Sequence, residues 1–112
     1  MENLYKSKRY ADCLFFGHLI LEQALKALVV KKTREPAPYQ HNLPYLAQLA
    51  NLSLSGDKIK LLTKINEFNM QARYPDERIS FDKLCTKSFT DEYYKQINGL
   101  YKNLCQLLKQ KK

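Results

Sequence analysis

Glycine and proline are scarce in this sequence, with three glycines and four prolines in 112 residues. So few breakers leave long uninterrupted segments between them, and those segments carry a helical period. No run alternates convincingly with period two, so strands are not expected. Cysteine is sparse as well. Cys13, Cys85 and Cys105 are an odd number in no metal or redox spacing, which points to reduced structural thiols in a cytoplasmic protein. A long uncharged apolar run is also missing. The segment from Ala11 to Val30 is interrupted by Asp12, His18, Glu22 and Lys26, so a membrane span is not expected. The start lacks the basic region and small-residue cleavage site of a signal peptide. No metal site is expected, because His18 and His41 lie far apart with no carboxylate at ligand spacing.

What is present fits one domain, residues 1–112, large enough to bury a core with little to spare. The net charge of +8 gathers at Lys6, Lys8 and Arg9, at Lys31, Lys32 and Arg34, and at Lys109, Lys111 and Lys112. Such a surface concentrates phosphate-bearing partners without specifying one, and serves equally well as a solvated, solubilising face.

From Tyr10 to Lys32, Leu14, His18, Leu21, Leu25 and Leu28 recur at i, i+4, i+7, i+11 and i+14 on one stripe. Phe15, Phe16, Leu19, Ile20, Val29 and Val30 make much of the remaining circumference apolar, which marks a central helix covered on several sides. Pro36 and Pro38 impose a loop, and Pro44 suits the first turn of a short helix through Leu46, Leu49 and Ala50. Ser55 is the N-cap expected for the next helix, whose stripe is Leu61, Ile65, Phe68 and Ala72. Pro75 stops that helix. A looser, partly helical stretch over Ile79 to Lys87 is expected next. Thr90-Asp91-Glu92 should then cap a last helix with Tyr93, Ile97, Leu100, Leu104 and Leu107 on its buried stripe. The fold class is all-α, an antiparallel up-and-down bundle.

Four pieces occur in order: Glu22-x-x-x-Lys26-Ala27-Leu28 in a small-residue helix, a proline-containing loop, His41-Asn42-Leu43 at a helix start, and Ala72-Arg73-Tyr74-Pro75-Asp76. Together they cover about residues 9 to 80, and the set resembles the HEPN family, the higher-eukaryote and prokaryote nucleotide-binding domains. The resemblance implies a bundle of four or five helices that is usually a homodimer. It also implies frequent pairing with a minimal nucleotidyltransferase in prokaryotic two-component, toxin–antitoxin-like systems. No cofactor is implied. Family members usually carry a long amphipathic helix ahead of the Glu-x-x-x-Lys helix, whereas here about eight residues precede Arg9, so the first helix is shortened or missing or a second copy covers its place. Ribonuclease members use Arg-x(4–6)-His near the start of a late helix. Arg73 and Arg78 have no histidine downstream, and the Arg34–His41 match lies in the proline loop, so no catalytic residue is assigned.

The candidate ligand-binding residues are Glu22, Lys26, His41, Arg73, Tyr74 and Asp76. Glu22 and Lys26 sit at i, i+4 and suit an ion pair. Their apolar neighbours imply partial burial, where Arg73 is the candidate long-range partner of Glu22; a structural link and a shared ligand pocket both remain open. His18, inside the apolar stripe, reads as a satisfied core or interface histidine. His41 precedes a helix N-terminus, where its ring could cap an amide or meet an anion. Tyrosines beside cations, Arg73-Tyr74 among them, could stack bases, although bundle rims and dimer interfaces are the preferred explanation. The functional expectation is a non-catalytic domain that binds a nucleotide, RNA or a nucleotidyltransferase partner. A metal-independent RNA endonuclease with a rearranged Arg/His site and a purely structural dimeric adaptor are the alternatives.

Overall fold

A computed structural model describes residues 2–109, so Lys111 and Lys112 of the basic tail lie outside the described residues. The path is helical throughout: α1 (Glu2–Lys6), α2 (Tyr10–Thr33), α3 (Leu43–Leu49), α4 (Gly56–Arg73), α5 (Pro75–Leu84) and α6 (Lys87–Lys109). Among the described residues there are six helices and no strand, two of the helices being a turn or two long.

Local chemistry explains most boundaries. Arg34 adopts the left-handed conformation, φ 59°, and its N–H returns to the Val30 carbonyl to close α2. The Asn42 side chain caps α3 by accepting the Tyr45 N–H at 3.1 Å, and Ser55 caps α4 by accepting the Lys58 N–H at 3.3 Å. Tyr74 is extended (φ −102°, ψ 124°), as a residue before proline must be, so α4 stops at Arg73. Two expectations change beyond that point. Pro75 is the first residue of α5, where its fixed φ and missing N–H suit a helix start, and Asp76 and Glu77 complement the dipole. The looser stretch is therefore a ten-residue helix that ends at Leu84. The last helix begins at Lys87 rather than at Thr90, because the Thr86 hydroxyl accepts the Phe89 N–H at 3.3 Å. Thr90 lies inside the helix and is fully buried.

The predicted stripe of α2 is the centre of the core: Leu14, His18, Leu21, Leu25 and Leu28 are all buried. It packs against α3, α4 and α6. Side-chain contacts set the helix directions. Tyr5 of α1 stacks on Tyr94 at 4.3 Å, while at the far end the Lys31 ammonium caps α6 through the Leu107 carbonyl at 2.8 Å, so α2 and α6 run parallel. Phe68, near the end of α4, meets Tyr93 near the start of α6, which makes α4 antiparallel to both. The opposite face of α2 is less covered than its composition suggests. Phe16 and Val30 stay 39% and 40% exposed, and a groove of about 380 Å³ between α2 and α6 is lined by Phe16, Leu19, Ile20 and Tyr101. Among the described residues α2 alone is long and apolar enough to cross a membrane, yet here its main stripe is core.

Burial pushes the Cys13 thiol up to about 11 and the Cys85 thiol up to about 12, in keeping with structural cysteines. Gly99 lies within α6, and a Cβ built on it meets nothing within 4 Å. Gly99→Ala should therefore stabilise the protein by about 0.5–1 kcal/mol, since alanine gains helix propensity without a clash. A raised urea midpoint with unchanged slope is the expected result; a lowered midpoint would show that the open space is needed.

Candidate functional site

Three elements converge on one carboxylate. α2 carries Glu22 and Lys26 one turn apart, the segment between α2 and α3 carries His41, and α4 brings Asn66, Asn69 and Arg73 on one face at i, i+3 and i+7. Glu22 is only 4% exposed. Its Oε2 accepts from the Lys26 ammonium at 3.0 Å and from His41 Nδ1 at 2.9 Å. A buried carboxylate without such donors would be strongly destabilising. Burial pushes the Glu22 carboxyl up, but the hydrogen bonds from His41 and Lys26 outweigh it and hold it below its ordinary value.

The backbone that delivers His41 is tied down on both sides. Gln40 Oε1 accepts from the N–H groups of His41 and Asn42 at 3.0 and 3.1 Å. Asn66 of α4 accepts the Leu43 N–H at 3.1 Å. Tyr39 meets the His41 ring edge-on with centroids 5.4 Å apart. Beneath lies His18, 1% exposed, with Nε2 3.2 Å from the His41 carbonyl and Nδ1 2.9 Å from the Asn69 amide nitrogen. Burial drives the His18 imidazole below its ordinary range despite the Glu22 charge beside it.

These groups frame a cavity of about 250 Å³ lined by Phe15, Leu19, Glu22, His41, Asn69 and Arg73. One wall is apolar, the floor holds the carboxylate, and the rim carries the His41 ring and the Arg73 guanidinium. Glu22 and Arg73 form no ion pair with each other; Glu22 is answered by Lys26 and His41 instead. They share the cavity all the same. Among the described residues Arg73 has no acidic partner, and its charge faces solvent at the end of α4. Tyr74 is the 56%-exposed junction between α4 and α5, and Asp76 is exposed in the first turn of α5. Neither is among the lining residues of the cavity.

A family profile for the HEPN domain matches residues 1–111. The chain belongs to the HEPN domain family. The match runs past the Arg73-Tyr74-Pro75-Asp76 piece and takes in α5 and all of α6, the helix that packs along α2. No curated protein and no solved structure matches this HEPN chain.

Asn66 and Asn69 are contacts of the site that the sequence does not single out, whereas His18, read there as a satisfied core histidine, is buried with both ring nitrogens bonded. Asn66, Asn69 and Arg73 do leave a trace: a polar row at helical spacing beside the apolar stripe of α4. A second ion cluster lies elsewhere: Arg78 of α5 reaches Asp12 of α2 at 2.7 Å and Asp82 at 2.9 Å, fastening α5 to the bundle. The Arg78 hydrogen bond holds the Asp12 carboxyl below its ordinary value.

The titrating groups set an acid limb with a definite sign. His18 binds its proton less readily folded than unfolded, so its contribution is present above the ordinary histidine value of 6.5 and drains as pH falls below it. Glu22 and Asp12 are held low, so theirs is present above the ordinary values of 4.5 and 3.8 and is lost on further acidification. The urea midpoint should be flat between about pH 7 and 8 and fall in two stages below that window. It should fall again above about pH 9, where the unfolded chain ionises thiols that burial keeps protonated at Cys13 and Cys85. A midpoint that rises on acidification to about pH 5 would contradict this balance.

Proposed function

We propose that this HEPN domain binds a nucleotide or a short RNA segment in the cavity between α2, α4 and the His41 loop. The observation that carries the proposal is an open guanidinium, Arg73, on the rim of a cavity whose floor is a buried, donor-satisfied carboxylate. Arg73 suits a phosphate, for which its planar fork is the natural match. Phe15 and Leu19 offer an apolar wall for a base, and His41 and Asn69 offer polar edges for a ribose or base. Lys26 keeps the Glu22 carboxylate compensated so that it does not repel the anion. Tyr74 and Asp76 follow Arg73 in the chain but lie outside the cavity lining, so in this reading they touch only the part of a ligand that leaves the cavity. The net charge of +8 favours a polyanionic ligand.

A ligand that binds only the folded chain raises its melting temperature by mass action. Thermal unfolding at low salt with AMP, ATP and single-stranded RNA is therefore the test. A saturable rise with at least one of them is expected, and no rise with any of them defeats the proposal.

One contact favours a second reading, metal-independent RNA cleavage. Glu22 fixes His41 through Nδ1, which leaves Nε2 as a candidate proton acceptor across the cavity from Arg73. That activity should vanish in His41→Ala and in Arg73→Ala; RNA left intact after long incubation at high protein concentration removes it. A cytoplasmic setting, a homodimer and a minimal nucleotidyltransferase partner complete the proposal. Support for the homodimer is the uncharged row Phe16, Ile20, Gln23, Ala27 and Val30 on α2. Its 4-3-4-3 spacing makes a seam whose bulky Phe16 could meet the small Ala27 of an antiparallel copy. Light scattering at several concentrations, on the wild type and on Phe16→Glu, tests it.

A further inference from the structure

His18 looks like a core residue, but its contacts give it a more specific task. Its Nε2 lies 3.2 Å from the His41 carbonyl, a group that only accepts, so Nε2 carries a proton. On the other side Nδ1 takes the Asn69 amide hydrogen at 2.9 Å, which makes His18 the neutral Nε2–H tautomer. Burial at 1% exposure favours that neutral form. Glu22 Oε1 is 3.6 Å from Nδ1, too far for a hydrogen bond, and is left without a partner. The Glu22 carboxylate is therefore held through Oε2 alone, by Lys26 and His41. What places His41 there is the loop, and His18 bonds the carbonyl of His41 itself.

We propose that His18 is a positioning residue of the site, holding the His41 carbonyl so that His41 Nδ1 meets Glu22 and its Nε2 edge faces the ligand. The line runs from Asn69 on α4 through His18 on α2 to the His41 backbone, so the two helices that form the cavity also set the angle of His41. Asn69 takes part twice, as a donor to His18 and as a wall of the cavity. The ligand side of this inference rests on the nucleotide-binding proposal; the His18–His41 side does not.

The chain has two histidines, so ring nitrogen NMR reads both without ambiguity. In the wild type, His18 should carry its proton on Nε2 and His41 should carry one on Nδ1. His18→Gln, which keeps an amide donor within reach of the carbonyl, should leave the His41 signals in place. His18→Leu removes the donor, and the His41 ring should then average between tautomers. Should His18→Leu fail to fold, the wild-type spectrum still decides, because a proton on His18 Nδ1 instead of Nε2 overturns the proposal. So does a folded His18→Leu protein with unchanged His41 signals. Titration with AMP reads the consequence for binding. If release leaves the loop in its competent position about a tenth of the time, the apparent Kd rises about tenfold in His18→Leu. It should recover in His18→Gln, and His18→Leu should add nothing in a His41→Ala background. An additive loss in that double variant overturns the role of His18. Absence of AMP binding by the wild type would count against the nucleotide proposal alone, with the NMR result still deciding for or against His18.

Discussion

Phe68→Ala should cost about 3–5 kcal/mol, the range for deleting a fully buried phenylalanine. Phe68 has no exposed surface and is the hub of an aromatic cluster. Its ring meets Phe81 of α5 at 5.4 Å, and Phe89 and Tyr93 of α6 at 5.7 and 5.0 Å, the last two edge-on. One side chain of α4 therefore joins three helices, and the void left by alanine opens between elements that cannot all close on it. Phe81 is the only described residue of α5 that is buried, so α5 would keep little beyond the Arg78 ion pairs to hold it. Small domains have about 5–15 kcal/mol in total, so the variant should unfold more than about 10 °C earlier. Ile79→Ala is the control, since Ile79 is 62% exposed on α5, and it should shift stability by no more than about 0.5 kcal/mol. Thermal melts of the two variants side by side check the contrast; equal losses would mean that the cluster is not the joint.

Arg73→Ala should have the reverse profile. Arg73 is exposed and forms no ion pair among the described residues, so its removal should leave the melting temperature of the free protein within a degree or two, the scale of ordinary surface changes. Binding should suffer. A hydrogen bond to a charged group contributes about 1.5–3 kcal/mol, which is about 10- to 150-fold in Kd for a phosphate-bearing ligand. Arg73→Lys should recover part of the loss, because lysine keeps the charge but not the fork. Glu22→Ala would be a poorer test, as it leaves Lys26 and His41 without their carboxylate and so mixes stability with binding. Calorimetric titration of the two Arg73 variants measures the difference, and an unchanged Kd in Arg73→Ala would take the arginine out of the site.

Much of the bundle is legible in the sequence because a helix records its buried face at a fixed spacing. The stripes of α2 and α4 are there to be read, and so is the stop at Tyr74-Pro75, which follows from local sterics alone. The segment after Pro75 is harder. Its single buried side chain, Phe81, gives no period, and its helix depends on proline at the first position and on ion pairs to Asp12 and Asp82. The site divides in a similar way. Glu22 and Lys26 declare their pairing by spacing, and Glu22, His41 and Arg73 do meet around one cavity. The partner of Glu22 was open in the sequence between Lys26 and Arg73. The structure adds His41, because the loop folds back over α2 and puts an imidazole nearer than the guanidinium. His18 and Asn69, 51 positions apart, touch only through helix packing, and nothing local marks such a pair.

The most direct measurement is a calorimetric titration of the wild-type chain with AMP at low ionic strength, repeated with Arg73→Ala. A nucleotide site between Glu22, His41 and Arg73 requires saturable binding at one site per chain that weakens as salt is added and weakens at least about tenfold in the variant. No binding by the folded wild type, or equal binding by both proteins, would contradict it.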